Sequence, residues 1–273
     1  MTIFLRFTYI SLFFLFPQIT TALPKADHVP GGIALINISI NDISAPQAYF
    51  NNRQLMVHQN KSEWVAVVGI PLSTKAGQHH IRVVPNRGTP FNLNFDVKEN
   101  EYESQYLTIK NKRQVNPNKK DLQRITKEKK EMNQVYLSWT KQNTDITSFL
   151  RPAEGPYSSP FGLRRFFNKQ ARNPHSGIDI AAAEGSQILA PANGVVKASG
   201  YYFFNGKTVL IDHGQGLVSM FCHMSSINVQ LGQRIKRGQR IGSVGQTGRA
   251  TGPHLHWGVS LNNARVNPLL FME

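Results

Sequence analysis

From Arg151 to the end of the chain, short apolar runs alternate with glycine-bearing turn dipeptides, and this pattern constrains the fold more than any other feature. The runs are Ile188–Ala190, Val195–Ala198, Thr208–Ile211, Val218–Phe221, Ile235, Arg240–Val244 and His254–Val259. Between them lie Asn193-Gly194, Asn205-Gly206, His213-Gly214, Arg237-Gly238 and Thr247-Gly248. Asn-Gly and related pairs supply the positive φ angles that tight hairpins need. None of the runs has the length or the 3.6-residue period of a helix. The pattern therefore predicts an antiparallel, all-β domain, a sandwich or small barrel, over residues 151–273. It excludes the strand–helix alternation of a doubly wound nucleotide-binding fold.

Three different textures precede it. Residues 1–22 read as an export signal: Arg6 gives a positive start, Ile10 and Leu12 to Phe16 an apolar core, and Thr20-Thr21-Ala22 a small-residue cleavage site. The apolar run falls well short of the roughly 20 residues of a membrane-spanning helix. An uncleaved interfacial anchor is the alternative. No later segment is apolar enough to span, so the mature protein is expected to be soluble, without an integral membrane span, in the periplasm or cell envelope.

Residues 28–97 read as a small β-sandwich-like domain. Ile33, Leu35, Ile38 and Ile40 alternate approximately, Trp64 to Ile70 is a continuous apolar run stopped by Pro71, and Phe91, Leu93, Phe95 and Val97 alternate cleanly. His79 and His80 are neighbours, so a strand sends them to opposite faces and they make a poor metal pair. The domain holds no constellation that could do chemistry, which leaves it a regulatory or inhibitory role as a cover for a site elsewhere. Residues 98–150 read as a helical linker. Pro117 opens the helix with Asn116 as its cap, and Leu122, Ile125, Met132, Val135 and Trp139 form one apolar face among many lysines. That face suits packing on a neighbouring domain better than lying on a membrane.

The chain carries 31 Lys+Arg against 16 Asp+Glu, a formal charge of +15, which favours polyanionic partners: nucleic acid, anionic membrane or cell wall. No finger, aromatic RNA-binding motif or basic zipper helix accompanies the charge, so nucleic acid is not the expected partner. The only cysteine is Cys222. It excludes an internal disulfide framework and any thiolate cluster, and any metal must be held by histidine and carboxylate. Cys222 itself reads as a buried strand residue.

Five of the nine histidines lie in the C-terminal half, three of them in two small clusters with ligand spacing. Pro174-His175-Ser176-Gly177-Ile178-Asp179 sets a histidine four residues before a carboxylate. Gly252-Pro253-His254-Leu255-His256-Trp257 sets two histidines on the same face of a strand. A catalytic zinc needs three nitrogen or oxygen ligands and an open position. His175, Asp179 and one of His254 or His256 meet that count. His213 reads as a structural residue at a strand end. Arg164, in Phe161-Gly162-Leu163-Arg164, could meet an acidic substrate or brace its loop, and both readings stay open.

The ordered set Pro174-His175-Ser176-Gly177-Ile178-Asp179, Ile211-Asp212-His213-Gly214, Phe221-Cys222-His223-Met224 and Thr247 to Trp257 resembles the LytM/lysostaphin-type zinc peptidases of family M23. The resemblance covers about Pro152 to Phe271. It implies an antiparallel β catalytic domain of the LytM type that hydrolyses peptide cross-links of bacterial peptidoglycan with one zinc ion. It implies His175, Asp179 and His256 as zinc ligands, His254 as general base, and His223 as the histidine that orients water or stabilises the oxyanion. The β-rich first domain resembles envelope enzymes of Gram-negative bacteria, which implies the D-alanyl–meso-diaminopimelate bond over glycyl bridges. A protein regulator and a monomeric state are further expectations.

The chain departs from the family where Tyr-x-His-Leu is usual. Here Phe221-Cys222-His223-Met224 lacks the tyrosine hydroxyl, which puts any substrate contact by that group in doubt. The alternative function is a catalytically inactive LytM-type activator or wall-binding protein. Such proteins lose metal ligands, and all five polar positions are present here. A lipoyl-type carrier is excluded by the lack of any Met-Lys or Asp-Lys dipeptide.

Overall fold

The computed structural model describes residues 23–60, 62–141 and 148–272, so the segment read as an export signal lies outside the described residues. The described chain is mostly β, with one long helix.

In the first part, two antiparallel sheets face each other. One has the order Ile33–Ile38, Glu63–Gly69, Met56–Asn60, and the other is built from Arg53–Gln54, Gln47–Phe50, Gly77–Val84 and Phe91–Val97. Ala34, Ile36, Trp64, Ala66 and Val68 of the first sheet share a core with Phe50, Ile81, Val83, Phe95 and Val97 of the second. The Trp64–Ile70 run is continuous because its strand is central and buried on both faces. Val67, with Ile33 and Met56, joins the core of the C-terminal part instead. Asn262 sits at φ +43° in a two-residue hairpin turn, and its side-chain amide pairs with Gly69: Gly69 N–H donates to Oδ1 at 2.8 Å and Nδ2 donates to the Gly69 carbonyl at 3.1 Å. The first part therefore docks on the end of the sheet opposite His223, His254 and His256.

That C-terminal sheet is antiparallel throughout. Its order is Arg234–Ile235, Gly194–Tyr202, Gly206–Gly214, Leu217–Met224, His254–Leu261, Ile178–Ala181, Tyr157–Ser159, and Ala264–Val266 also pairs with His254–Leu261. One face, including Val209, Phe221, Leu255, Trp257 and Val259, packs against Ile188 and Ile241 of a second sheet made from Gln187–Leu189, Arg240–Ser243 and Ser226–Ile227. The opposite face presents Ala198, Leu210, Val218, Met220 and Cys222, and the helix Lys119–Leu137 packs on it through Val135 and Tyr136.

The linker differs from its sequence reading in two respects. It is only partly helical: Ser104–Leu107 forms a strand parallel to Arg164–Phe167 and so extends the C-terminal half. The helix begins later than Pro117. Asn118 is the cap, its side chain accepting from Asp121 N–H while the Asp121 carboxylate accepts from Asn118 N–H. This capping box satisfies two otherwise orphaned amides, which Asn116 cannot do with no acidic residue three positions on. Leu122 is exposed and Trp139 lies beyond the helix. Glu131 accepts from the Tyr202 hydroxyl and Glu128 from Phe203 N–H, so carboxylates as well as apolar contacts fix the helix on the sheet. Asn118→Ala is expected to cost about 1 kcal/mol of stability, read as a lower denaturation midpoint with unchanged metal content. No helix among the described residues is long and apolar enough to cross a membrane.

Candidate metal centre

Register brings the predicted ligands together. Asp179 on Ile178–Ala181 is paired directly with His256 on His254–Leu261, which is paired in turn with Cys222. Cross-strand partners share a face, so Asp179 and His256 project to the side of the sheet that carries the helix. Leu255 and Trp257 point into the core. His175 precedes the Asp179 strand, and its backbone is held by Gly162 N–H on its carbonyl and by its own N–H on the Leu163 carbonyl. Gly177 allows the approach. A Cβ there would lie 2.4 Å from the Trp257 carbonyl oxygen and 2.9 Å from His256 Cε1.

Three heteroatoms converge. His175 Nε2 lies 3.0 Å from Asp179 Oδ1 and 2.9 Å from His256 Nδ1, and His256 Nδ1 lies 2.8 Å from the same Oδ1. His175 Nδ1 donates to the Pro160 carbonyl at 2.7 Å, which fixes its proton on that nitrogen and leaves the Nε2 lone pair facing the other two. Two imidazole nitrogens and one carboxylate oxygen, without thiolate, are a donor set that could hold a metal ion, of the count a three-ligand catalytic site requires. Burial alone would raise the Asp179 carboxyl, but the adjoining His175 and His256 rings outweigh it and hold Asp179 well below the usual carboxylate range. Burial lowers His256 to about 4 against the pull of Asp179. Both groups are thus in the protonation state that binds a cation.

The outer oxygen of Asp179 is held by a residue that sequence reasoning passed over. Arg165 Nη2 donates to Oδ2 at 2.9 Å and to Ser159 Oγ at 3.2 Å, and Arg165 Nε donates to Gln105 Oε1 at 3.1 Å. Arg164, the residue singled out in the sequence, is exposed on the opposite side of its strand. The Arg164-Arg165 pair carried the signal, since alternation turns one of the two inward, but only the register decides which.

His254 and His223 stand beside these groups. His254 Nε2 is 3.9 Å from Asp179 Oδ1, and its Nδ1 donates to the Gly252 carbonyl at 2.9 Å. The His223 ring centroid is 4.8 Å from that of His254 and 6.2 Å from that of His256. His223 has φ +62°, a left-handed conformation rare outside glycine. Its Nδ1 donates to the Thr247 carbonyl at 2.8 Å. Burial, then the neighbouring His254 and His256, lowers its pKa to about 3, so the ring is neutral at ordinary pH and Nε2 offers a lone pair.

His213 and Cys222 have structural environments. His213 is buried between the Asn193 carbonyl and Ser219 Oγ, and burial lowers its pKa to about 4. Cys222 is buried, accepts from Asn205 Nδ2 at 3.2 Å, and is pushed up to about 12 by burial, so it is a thiol. Phe221 lies wholly in the core on the other face. A hydroxyl at that ring would not face the groove, which removes the geometric basis for expecting a weakened substrate contact there.

The convergent groups form the floor of a groove of about 670 Å³. One wall comes from the linker through Leu107, Ile109, Val115 and Lys129, and no described residue of the first β part lines it. Lys129, Arg165, Arg172 and Arg249 face this groove, and Asp179 is the only acidic residue of its lining among the described residues.

A histidine–carboxylate cradle on an antiparallel sheet, open to a basic groove, defines the class of metallopeptidases. Residues 173–268 match the profile of peptidase family M23 and residues 26–100 that of the peptidase family M23 N-terminal domain. A crystal structure from Pseudomonas aeruginosa described as a peptidase M23 is similar to this chain with a TM-score of 0.77 and 41% identity, over 90% of this chain and 95% of that one. The chain belongs to peptidase family M23. It is also similar to the peptidoglycan DD-endopeptidase ShyC of Vibrio cholerae, 39% identical over 120 residues that make up 40% of this chain and 28% of that protein. The DD-carboxypeptidase/endopeptidase Mpg of Neisseria meningitidis is 39% identical over 112 residues, 41% of this chain and 26% of that protein. The matched stretch spans roughly a quarter of the length of these curated relatives.

Proposed function

We propose that this protein is a zinc-dependent endopeptidase that hydrolyses peptide cross-links of peptidoglycan, of the D-alanyl–meso-diaminopimelate type, in the periplasm or cell envelope. The observation that carries this reading is the meeting of His175 Nε2, Asp179 Oδ1 and His256 Nδ1 within 3.0 Å of one another beside two further histidines. His175, Asp179 and His256 would hold the ion. Bound zinc supplies Lewis acidity, which acidifies a water and polarises a carbonyl.

The chain's own groups handle the protons. With Nδ1 committed to the Gly252 carbonyl, His254 turns Nε2 toward the ligand cluster, where it can take a proton from the attacking water and return it to the leaving amine. His223, neutral and with Nδ1 committed to Thr247, accepts at Nε2. That favours holding the water over donating to an oxyanion, the other role open to it. The basic groove attracts a carboxylate-bearing peptide. Any covering role falls to the linker, which walls the groove, before it falls to the first β part.

The competing reading is an inactive LytM-type activator. The presence of all five polar groups in one cluster favours the enzyme. Zinc-loaded full-length protein is expected to convert purified cross-linked muropeptide dimers to monomers, with the new termini identified by mass spectrometry. Chelator is expected to abolish the conversion. A zinc-loaded sample that leaves every dimer intact would overturn the enzyme reading, and cleavage at another bond would correct the specificity.

A further inference from the structure

Among the described residues three groove cations, Lys129, Arg172 and Arg249, lack a carboxylate partner, and Arg249 is the one whose guanidinium is part-buried against aromatic rings. The Arg249 guanidinium is sandwiched between two aromatic rings, with Cζ 4.6 Å from the Phe167 centroid and 4.3 Å from that of Phe204. Its single hydrogen-bond acceptor among the described residues is the Gln114 carbonyl, 3.2 Å from Nη1. Among the described residues no carboxylate pairs with it. Burial, followed by repulsion from Arg165 and Arg172, lowers its pKa to about 10, so it stays charged. Arg165 is already bound to Asp179, and Arg172 is spent on Val115, Ala171 and Gln170 oxygens.

A part-buried guanidinium with free N–H groups is a strong site for a planar anion, because charge-assisted bonds are shorter and stronger than neutral ones. Stacking between two rings fixes the plane of the fork before any ligand arrives, which lowers the ordering cost of binding. The surroundings narrow the ligand. Leu107, Ile109, Val115 and Phe167 form an apolar cluster at this end of the groove. Arg249 also lies two residues beyond Thr247, whose carbonyl holds His223.

We propose that Arg249 anchors a free carboxylate of the peptide substrate, beside this apolar wall, at a subsite set off from the metal ligands in the same groove. The assignment rests on the endopeptidase reading and adds the substrate feature that the groove selects. The chemistry fits either the terminal α-carboxylate of a D-alanyl residue or the side-chain carboxylate of diaminopimelate.

The test uses full-length, zinc-loaded protein and stem tetrapeptides as free acids, as the D-alaninamide, and as the diaminopimelate amide. Calorimetric binding to wild type is expected to weaken by about tenfold or more for one of the two amides, the scale of a lost charge-assisted pair. That amide identifies the carboxylate. Arg249→Gln is expected to bind the free acid as weakly as wild type binds that amide, and Arg249→Lys to recover part of the loss. On cross-linked dimers, Arg249→Gln is expected to raise KM about tenfold with little change in kcat, at unchanged zinc content and Tm. Equal acid-over-amide preference in wild type and both variants, or a loss confined to kcat or zinc content, would overturn the proposal. The binding arm needs no turnover, so an enzyme that binds with this preference but cleaves nothing would sink the endopeptidase reading and leave the subsite standing.

Discussion

His256→Ala is expected to lose its zinc and all measurable turnover, whereas His254→Ala keeps its zinc and loses turnover by roughly 10²–10⁴-fold. The two histidines share one strand and one face, two residues apart, yet they meet different atoms. His256 Nδ1 is 2.8 Å from Asp179 Oδ1 and 2.9 Å from His175 Nε2, inside the cluster of ligand atoms. His254 Nε2 is 3.9 Å from the same carboxylate oxygen, at the edge of the cluster and within reach of a water held there. Removing His256 leaves two donors, too few for a tight site, and metal affinity is expected to fall by more than the about 100-fold that loss of an outer supporting group can cost. Removing His254 leaves all three donors and takes away the proton acceptor. Metal analysis of dialysed protein separates the outcomes, and matched Tm values of the zinc-loaded forms exclude misfolding. Zinc loss in His254→Ala equal to that in His256→Ala would exchange or erase the assigned roles.

The shared face of His254 and His256 was legible in the sequence from strand periodicity, while the division of labour proposed for them rests on family resemblance. The strands of the C-terminal half were legible where Asn-Gly and His-Gly pairs punctuate them. The strand Ile178–Ala181 was not, because four residues following Ser176-Gly177 give too short an alternation to separate from a loop. Its place between His254–Leu261 and Tyr157–Ser159 is a long-range pairing that no local pattern announces. The same holds for Ser104–Leu107, whose parallel partner lies some sixty residues away in the chain. The helix was readable and its start was not, since Asn116-Pro117-Asn118 offers two caps and only the reciprocal bonds with Asp121 choose between them. The Trp64–Ile70 run announced a buried strand, but not that its second face packs on the catalytic half.

Arg165 is the residue whose part in the site had to come from the structure, and Arg165→Gln is expected to lower zinc affinity roughly 10–100-fold while kcat at saturating zinc stays within a few-fold of wild type. The guanidinium holds Asp179 Oδ2 at 2.9 Å, so Oδ1 alone is turned to His175 and His256. Gln105 and Ser159 fix the guanidinium in turn, which ties the ligand's orientation to the linker strand and to the edge strand Tyr157–Ser159. Glutamine keeps polarity and removes the charge and the fork, so Asp179 gains rotational freedom and loses a partner that no water can replace at equal strength in a buried position. Arg165→Lys restores a point charge without the two-armed geometry and is expected to fall between the two. Competition against a chelator of known affinity measures the zinc term, and turnover against added zinc separates it from chemistry. Unchanged zinc affinity with a raised KM would mean that Arg165 meets the substrate instead of positioning Asp179. Because Arg165 and Arg249 line one groove, the pair gives an internal contrast: the Arg165 defect is expected to be rescued by excess zinc, and the Arg249 defect only by excess substrate.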